Sequence, residues 1–420
     1  MSARVCLVTS GHLSTNPRLV KEADALVAAG YEVNIVATRF IPWAAAADAE
    51  FSSRSWLVKT VTFGTLAKPV QRFYQGMRRR IARKLVSIFG FDVAWVERAN
   101  HWITPELADA ACKTPAELYI AHNLAALPAA VKAARIHGAR VIFDAEDFHS
   151  GELPEGSAWD FDRDLISALE KYYLPKCDAM TAASPGIARA YAETYSLTQP
   201  LVVLNVFPLA QAPMAASKKG MMKPGPSLYW FSQTVGPDRG LEAAVQAIGL
   251  AKCRPHLYLR GNVSENYREK LLAIARSNDM LDHLHFLAVG APADMVKLAA
   301  EFDIGLAAEP GHSENNRLAC SNKIFTYLLA GVPTLASSTP AQAELAGMAT
   351  NAVWLYPPED SHALAAKIDH LLGDSQKMAN ARTVAWDLGQ QHFNWEVECK
   401  TWLKQVEKLL AVQALGKKHY

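Results

Sequence analysis

The sequence predicts a tandem α/β protein, two doubly wound parallel sheets in succession, on three observations. Short apolar runs alternate with stretches of helical periodicity along nearly the whole chain. Segments rich in Gly and Pro separate them. One stretch, 207–226, holds four prolines and no periodic pattern, and it divides two series of such units. A length of 420 residues fits two or three domains, each large enough to bury its own core.

Each element has a local reason. Residues 5–9 are a short apolar run suited to a buried parallel strand. A turn-rich loop follows, with Gly11 in it and Pro17 at its end. Residues 18–29 carry Leu19, Ala23, Leu26 and Val27 at helical spacing, and Gly30 stops that helix. Residues 31–38 form the next strand, completing a βαβ unit. Further strands are expected at 118–121, 140–144, 179–182 and 201–204, with a helix at 128–137 ended by Gly138. The second series has strands at 228–232, 255–260, 284–287, 304–307, 334–336 and 352–355. Its helices are expected at 240–250, 267–278, 292–301, 323–330 and 361–373. The domains are therefore 1–206 and 227–390, joined by 207–226, and a terminal helix within 391–420 could cross back to the first.

Composition removes several function classes. Net charge is +2, from 43 basic and 41 acidic residues, which gives no global case for nucleic acid. The six cysteines are scattered, without C-x-x-C spacing, so neither a disulfide framework nor a zinc site is expected. Reduced thiols suit the cytoplasm. No basic n-region with an apolar core opens the chain, and no apolar run is long enough to span a bilayer.

Chemistry concentrates in the second half. Residues 229–241 read as a strand, a Gly/Pro loop and a helix start, with Arg239 and Gly240 at the junction. A helix N-terminus beside a fixed cation can hold a diphosphate. Farther on, Glu309, Glu314 and the polar loop around them precede a helix that opens at Ser321 or Asn322. Lys323 in its first turn opposes the helix dipole, which makes sense if an anion binds there.

In this order and spacing the motifs resemble family 4 glycosyltransferases of the GT-B fold. The resemblance rests on Arg239-Gly240-Leu241, on Ser321-Asn322-Lys323 leading to Tyr327 and Gly331-x-Pro333, and on Pro17-Arg18-x-x-Lys21-Glu22-Ala23 closing at Gly30. It implies two Rossmann-like domains facing a central cleft. It also implies transfer of a sugar from a nucleoside diphosphate-sugar with retention, without metal and with no cofactor beyond that co-substrate. The donor would lie mainly on the second domain and a glycan or lipid-linked acceptor on the first, as in polysaccharide biosynthesis. By position, Arg239 and Gly11 would border the diphosphate, and His122 would stand near the transferred sugar. Asp144, Glu146 and His149 would line the acceptor side. From the residues alone, His122 could equally be a satisfied histidine at a strand end, and the turn with Glu152 a solvated capping loop.

Two positions depart from the family. Gln233 stands where a second basic residue is usual, and the usual pair of glutamates falls on Leu318 and Thr326. Glu309 or Glu314 would then supply the carboxylate, and Lys323 the charge. Two other readings follow from these departures, a UDP-sugar epimerase of the same fold or a non-catalytic sugar-nucleotide-binding protein. Base recognition is expected around 260–262 and 286–289. Finally, 68–91 carries Lys68, Arg72, Arg78, Arg79, Arg80, Arg83 and Lys84 with no acid, and Phe73, Met77, Ile81, Leu85 and Ile88 at helical spacing. Its apolar stripe is expected to pack on the first domain. The alternative is an anionic membrane surface at the inner face of the plasma membrane.

Overall fold

The computed structural model describes residues 2–154, 156–214 and 224–416. Residues 215–223 of the expected connection lie outside the described residues, as do 417–420 of the terminal segment. The chain forms two units, Met1–Val203 with Cys399–Tyr420, and Leu204–Glu398.

The first unit is built on seven strands: β1 Arg4–Thr9, β2 Glu32–Arg39, β3 Leu57–Thr62, β4 Leu118–His122, β5 Arg140–Ala145, β6 Ala179–Ala182 and β7 Leu201–Val202. They pair in the order β3-β2-β1-β4-β5-β6-β7, all in parallel. Progression reverses between β1 and β4, and ligands of such sheets bind beyond the strand ends at that switch point. Register does the rest. Thr9 lies opposite His122, His122 opposite Asp144, and Asp144 opposite Thr181. Residues level in a parallel sheet share a face, so four strands deliver four polar side chains to one place.

The second unit has six strands: β8 Ser227–Val235, β9 His256–Val263, β10 Leu284–Leu287, β11 Ile304–Ala307, β12 Thr334–Ser337 and β13 Val353–Tyr356. Their order, β10-β9-β8-β11-β12-β13, reverses between β8 and β11. Both units are thus the doubly wound sheets that the sequence predicts. The second unit's core has one cluster centred on Leu228, Leu241, Leu257 and Leu306, and another rich in aromatic rings, with Tyr229, Tyr258, Phe302 and Tyr327.

Local chemistry explains the boundaries. The helix Pro17–Ala28 starts at Asn16, whose side chain accepts from the Leu19 amide at 3.0 Å, and Pro17 fits its first turn. Strand β3 was not expected. It is an edge strand with Leu57 and Val58 exposed, so it lacks the apolar run that marks a buried strand. The helix Ser375–Gln391 escaped notice because it buries only Met378, Ala381, Ala385 and Gly389, a weak stripe.

The helix Pro69–Phe89 corrects an expectation. Its apolar stripe does not pack on the first unit. Gln75, Ala82 and Val86 take the inner face instead, while Phe73 and Ile81 stand outward. Among the described residues no helix is long and apolar enough to cross a membrane.

Candidate functional site

In the second unit the chain leaves β11 and turns at Glu309. The backbone amide of Glu309 donates to the Ser337 hydroxyl at 2.8 Å, and that hydroxyl donates to the Glu309 carbonyl at 2.6 Å. The loop is therefore tied to the end of β12. Beside it runs the helix Asn322–Leu329. Tyr327 fixes this helix, since its hydroxyl donates to the carbonyls of Tyr229 and Leu306 at 2.9 and 3.2 Å. The ring lies where Gly305 has no side chain, because a Cβ there would come within 2.3 Å of it. Only glycine admits that approach.

Fixed this way, the helix start brings Lys323 and Ser321 to Glu309. The lysine Nζ and the serine hydroxyl each donate to Glu309 Oε1 at 2.8 Å. Ser321 is the N-cap by position but its hydroxyl caps nothing, being spent on this carboxylate. Burial opposes ionisation of Glu309, yet Lys323, Ser321 and the nearby charge of Arg239 outweigh it and hold the carboxyl below its usual range. Lys323 also lies 5.3 Å from the centre of the Trp230 ring.

Arg239 precedes Gly240, the N-cap of the helix Leu241–Leu250. Gly240 has φ 66°, and a Cβ there would meet Ala308 at 3.1 Å. Glycine is thus required for β8 to enter the helix beside β11. Arg239 makes no side-chain hydrogen bond or ion pair among the described residues. The second unit therefore joins Arg239, Gly240, Ser321, Lys323 and Glu309 at its switch point, and Asn322 is exposed in the same helix turn.

Other expected residues lie apart from that group. Glu314 is exposed on the short helix Glu314–Leu318 and bonds to none of them. Gln233 is exposed on β8. Thr326 is wholly buried and its hydroxyl donates to the Asn322 carbonyl at 3.2 Å, so it does not replace a carboxylate. Arg260 is committed to the Tyr229 hydroxyl at 2.8 Å and the Ala288 carbonyl at 2.7 Å.

In the first unit the register gathers a largely buried ionic cluster. His122 has no exposed surface. Its Nε2 lies 3.1 Å from Glu22, and its Nδ1 lies 3.2 Å from Asp144 and 3.6 Å from Glu146. Burial alone would lower its pKa, but the three carboxylates raise it well above the ordinary imidazole range. Arg18 grips both oxygens of Asp144 at 2.7 Å and donates to the Val203 carbonyl at 2.7 Å. Thr181 donates its hydroxyl to the same carboxylate. Despite burial, these cations hold Asp144 far below the usual range.

Glu22, His122 and Asp144 present ligand atoms within 4.8 Å of one another, close enough for a metal ion. The Arg18 guanidinium already lies against both Asp144 oxygens and 3.6 Å from Glu22, and so occupies the cationic place. His122 and Asp144 thus stand beneath the surface.

The first unit also holds a cavity of about 380 Å³ lined by Ser10, Gly11, Asn100, Asn123, His149 and Glu152 among others. It brings together Gly11 and His149 from the expected set. His149 Nδ1 pairs with Glu152 at 2.5 Å. Burial would lower its pKa, but Glu152, Glu170 and Asp147 raise it to about 8. Asn123 was missed by sequence reasoning. Its backbone sits at φ 73° and ψ 150°, a region that glycine alone adopts freely. Its carboxamide oxygen accepts from the Thr9 hydroxyl at 2.9 Å. Such strain collects at functional sites, and no local sequence signal marks it.

No protein-family model matches the chain, and no curated protein matches it. Solved structures do. HepE from Anabaena in complex with UDP is 15% identical, covers 97% of this chain and 100% of its own, and has a TM-score of 0.70. Sucrose-phosphate synthase from Thermosynechococcus elongatus is 14% identical over 98% and 100%, with a TM-score of 0.71. A mutant of S. aureus TarM, in complex with fondaparinux, alpha-GlcNAc-glycerol and UDP, is 9% identical over 97% and 99%, with a TM-score of 0.66. At such identities the likeness establishes the fold, two Rossmann-like α/β units of the GT-B type.

Proposed function

We propose that the protein is a glycosyltransferase of the family 4 kind, moving a sugar from a nucleoside diphosphate-sugar to a glycan or lipid-linked acceptor with retention. The observation that carries this is the set at the second switch point. An unpaired Arg239 and a helix N-terminus stand beside Lys323 and an ionised Glu309. HepE bound to UDP-glucose and TarM bound to UDP support a diphosphate donor.

Breaking the bond from the sugar carbon to the diphosphate leaves its electron pair on the leaving oxygen. Arg239, Lys323 and the amides opening Leu241–Leu250 stabilise that charge, so the step needs no metal. Glu309, held ionised, stabilises the positive character at the sugar carbon. The acceptor hydroxyl attacks from the same face and gives its proton to the departing diphosphate. His122 is a positioning residue, an imidazolium that fixes Glu22, Asp144 and Glu146. Polysaccharide assembly in the cytoplasm, at the inner face of the plasma membrane, suits such an acceptor.

Calorimetry with UDP and GDP tests the donor site. Arg239→Ala and Lys323→Ala are each expected to weaken binding by about tenfold to a hundredfold, the worth of a charge-assisted contact. If both variants bind as the wild type does, the diphosphate site is misplaced. Incubation with UDP- and GDP-sugars then separates the chemistries. Nucleoside diphosphate release marks a transferase, epimerisation without release an epimerase, and binding alone a non-catalytic protein.

A further inference from the structure

The seven cations of 68–91 divide into two groups, and the division shows what the helix Pro69–Phe89 is for. Three of them pin it to its own unit. Arg78 holds both oxygens of Glu106, at 3.0 and 2.7 Å. Arg83 holds both oxygens of Asp162, at 2.6 and 3.0 Å. Arg79 donates to the Ala99 carbonyl at 3.2 Å. With buried Gln75, Ala82 and Val86 these define the inner face.

Lys68, Arg72, Arg80 and Lys84 are exposed, and their side chains have no partner among the described residues. At about 100° per residue, Val70, Phe73, Met77, Ile81 and Ile88 form one stripe on the side away from the buried face. Arg80 and Lys84 border that stripe. Phe73 is 69% exposed, Ile81 52% and Ile88 59%. A monomer in water gains nothing from such a row.

We propose that this outer face docks the protein on an anionic lipid bilayer. The five apolar side chains enter the acyl boundary, and Arg80 and Lys84, which border them, meet acidic headgroups. Both halves of the face are then satisfied at once. A second copy of the chain fits worse, because a two-fold contact through this stripe sets Arg80 and Lys84 against like charges. A helix with six cations lies on a membrane and does not cross it. The inference deepens the membrane placement proposed above and uses no donor-site residue.

Cosedimentation of the full chain with vesicles of phosphatidylcholine and phosphatidylglycerol, against phosphatidylcholine alone, tests it. Binding is expected only to the mixed vesicles and should weaken with salt. Arg80→Ala and Lys84→Ala should each lower partitioning by about fivefold. Phe73→Ser combined with Ile81→Ser should abolish it while leaving circular dichroism and solution nucleoside diphosphate release unchanged. Three outcomes overturn the proposal: no preference for anionic vesicles, wild-type binding by the Phe73/Ile81 variant, or a lipid-free dimer that this variant dissolves. Failure of donor binding with vesicle binding intact would break the transferase reading alone.

Discussion

The two units each bring carboxylates and cations together at the carboxyl ends of their strands, and they treat them differently. In the first, Asp144 spends both oxygens on Arg18, takes a further bond from Thr181 and has no exposed surface. In the second, Glu309 retains 21% of its side-chain surface and Lys323 13%, while Arg239 is partly exposed and unpaired. Full pairing of a buried Asp144 holds neighbouring strands in place, because neither of its oxygens has capacity left for a ligand. Incomplete pairing at a surface leaves cationic charge to offer. One arrangement is architecture, and the other is equipped for binding.

The comparison breaks first at Arg18. Arg18→Met leaves the Asp144 carboxylate buried beside Glu22 without its main cation. Losing one partner of a buried pair costs about 3–5 kcal/mol. Lys323→Met, in a partly exposed pair, should cost about 1 kcal/mol or less. Urea denaturation of both variants measures the contrast. Equal losses would mean that the two clusters do the same work.

The next effect is in pH. His149 is raised in the folded state to about 8. A raised imidazole contributes stability that is complete below the unfolded pKa, about 6.5, and is lost as pH rises through 8. The contribution is about 2 kcal/mol. Lys21 titrates in the same window with the opposite sign, because burial and then Arg18 push its amine down to about 7. The quantity to measure is therefore the difference in unfolding free energy between wild type and His149→Gln. It should shrink by about 2 kcal/mol between about pH 5 and pH 9.5, with more than half of that loss between pH 6.5 and pH 8. A difference constant across that range would show that His149 is not charged by its carboxylates.

Much of the architecture was legible because buried parallel strands leave apolar runs, and glycines such as Gly30 and Gly138 mark helix ends. The ionic cluster was half legible. Arg18 and Glu22 fall in one stripe with Leu26, an unusual place for charge, but Asp144 lies 126 residues from Arg18. Only strand register brings it there. Periodicity likewise revealed that 69–89 has an apolar stripe and not which way it faces, since Arg78, Arg79 and Arg83 decide that through residues far along the chain. In the second unit Lys323 was legible as a cation set against a helix dipole. Its partner Glu309 was one of two candidates, and the Ser337 tether selects it over Glu314.

The smallest effect on stability sharpens the comparison most, because it separates fold from ligand at two glycines. Gly240 is required by its own backbone, with φ 66° and Ala308 at 3.1 Å from a Cβ. Gly240→Ala should cost about 1–2 kcal/mol. At Gly11 the backbone is not left-handed, and a Cβ would meet nothing nearer than the Thr9 hydroxyl at 3.5 Å. Gly11→Ala should therefore leave the melting temperature unchanged or raise it slightly, by about 0.4–1 kcal/mol of stability. The fold supplies no reason for glycine at the mouth of the cavity it shares with His149. A ligand that approaches the backbone does. Gly11→Ala is expected to lower nucleoside diphosphate release from the donor while the fold is undisturbed. Wild-type release by a stable Gly11→Ala protein would remove Gly11 from the reaction.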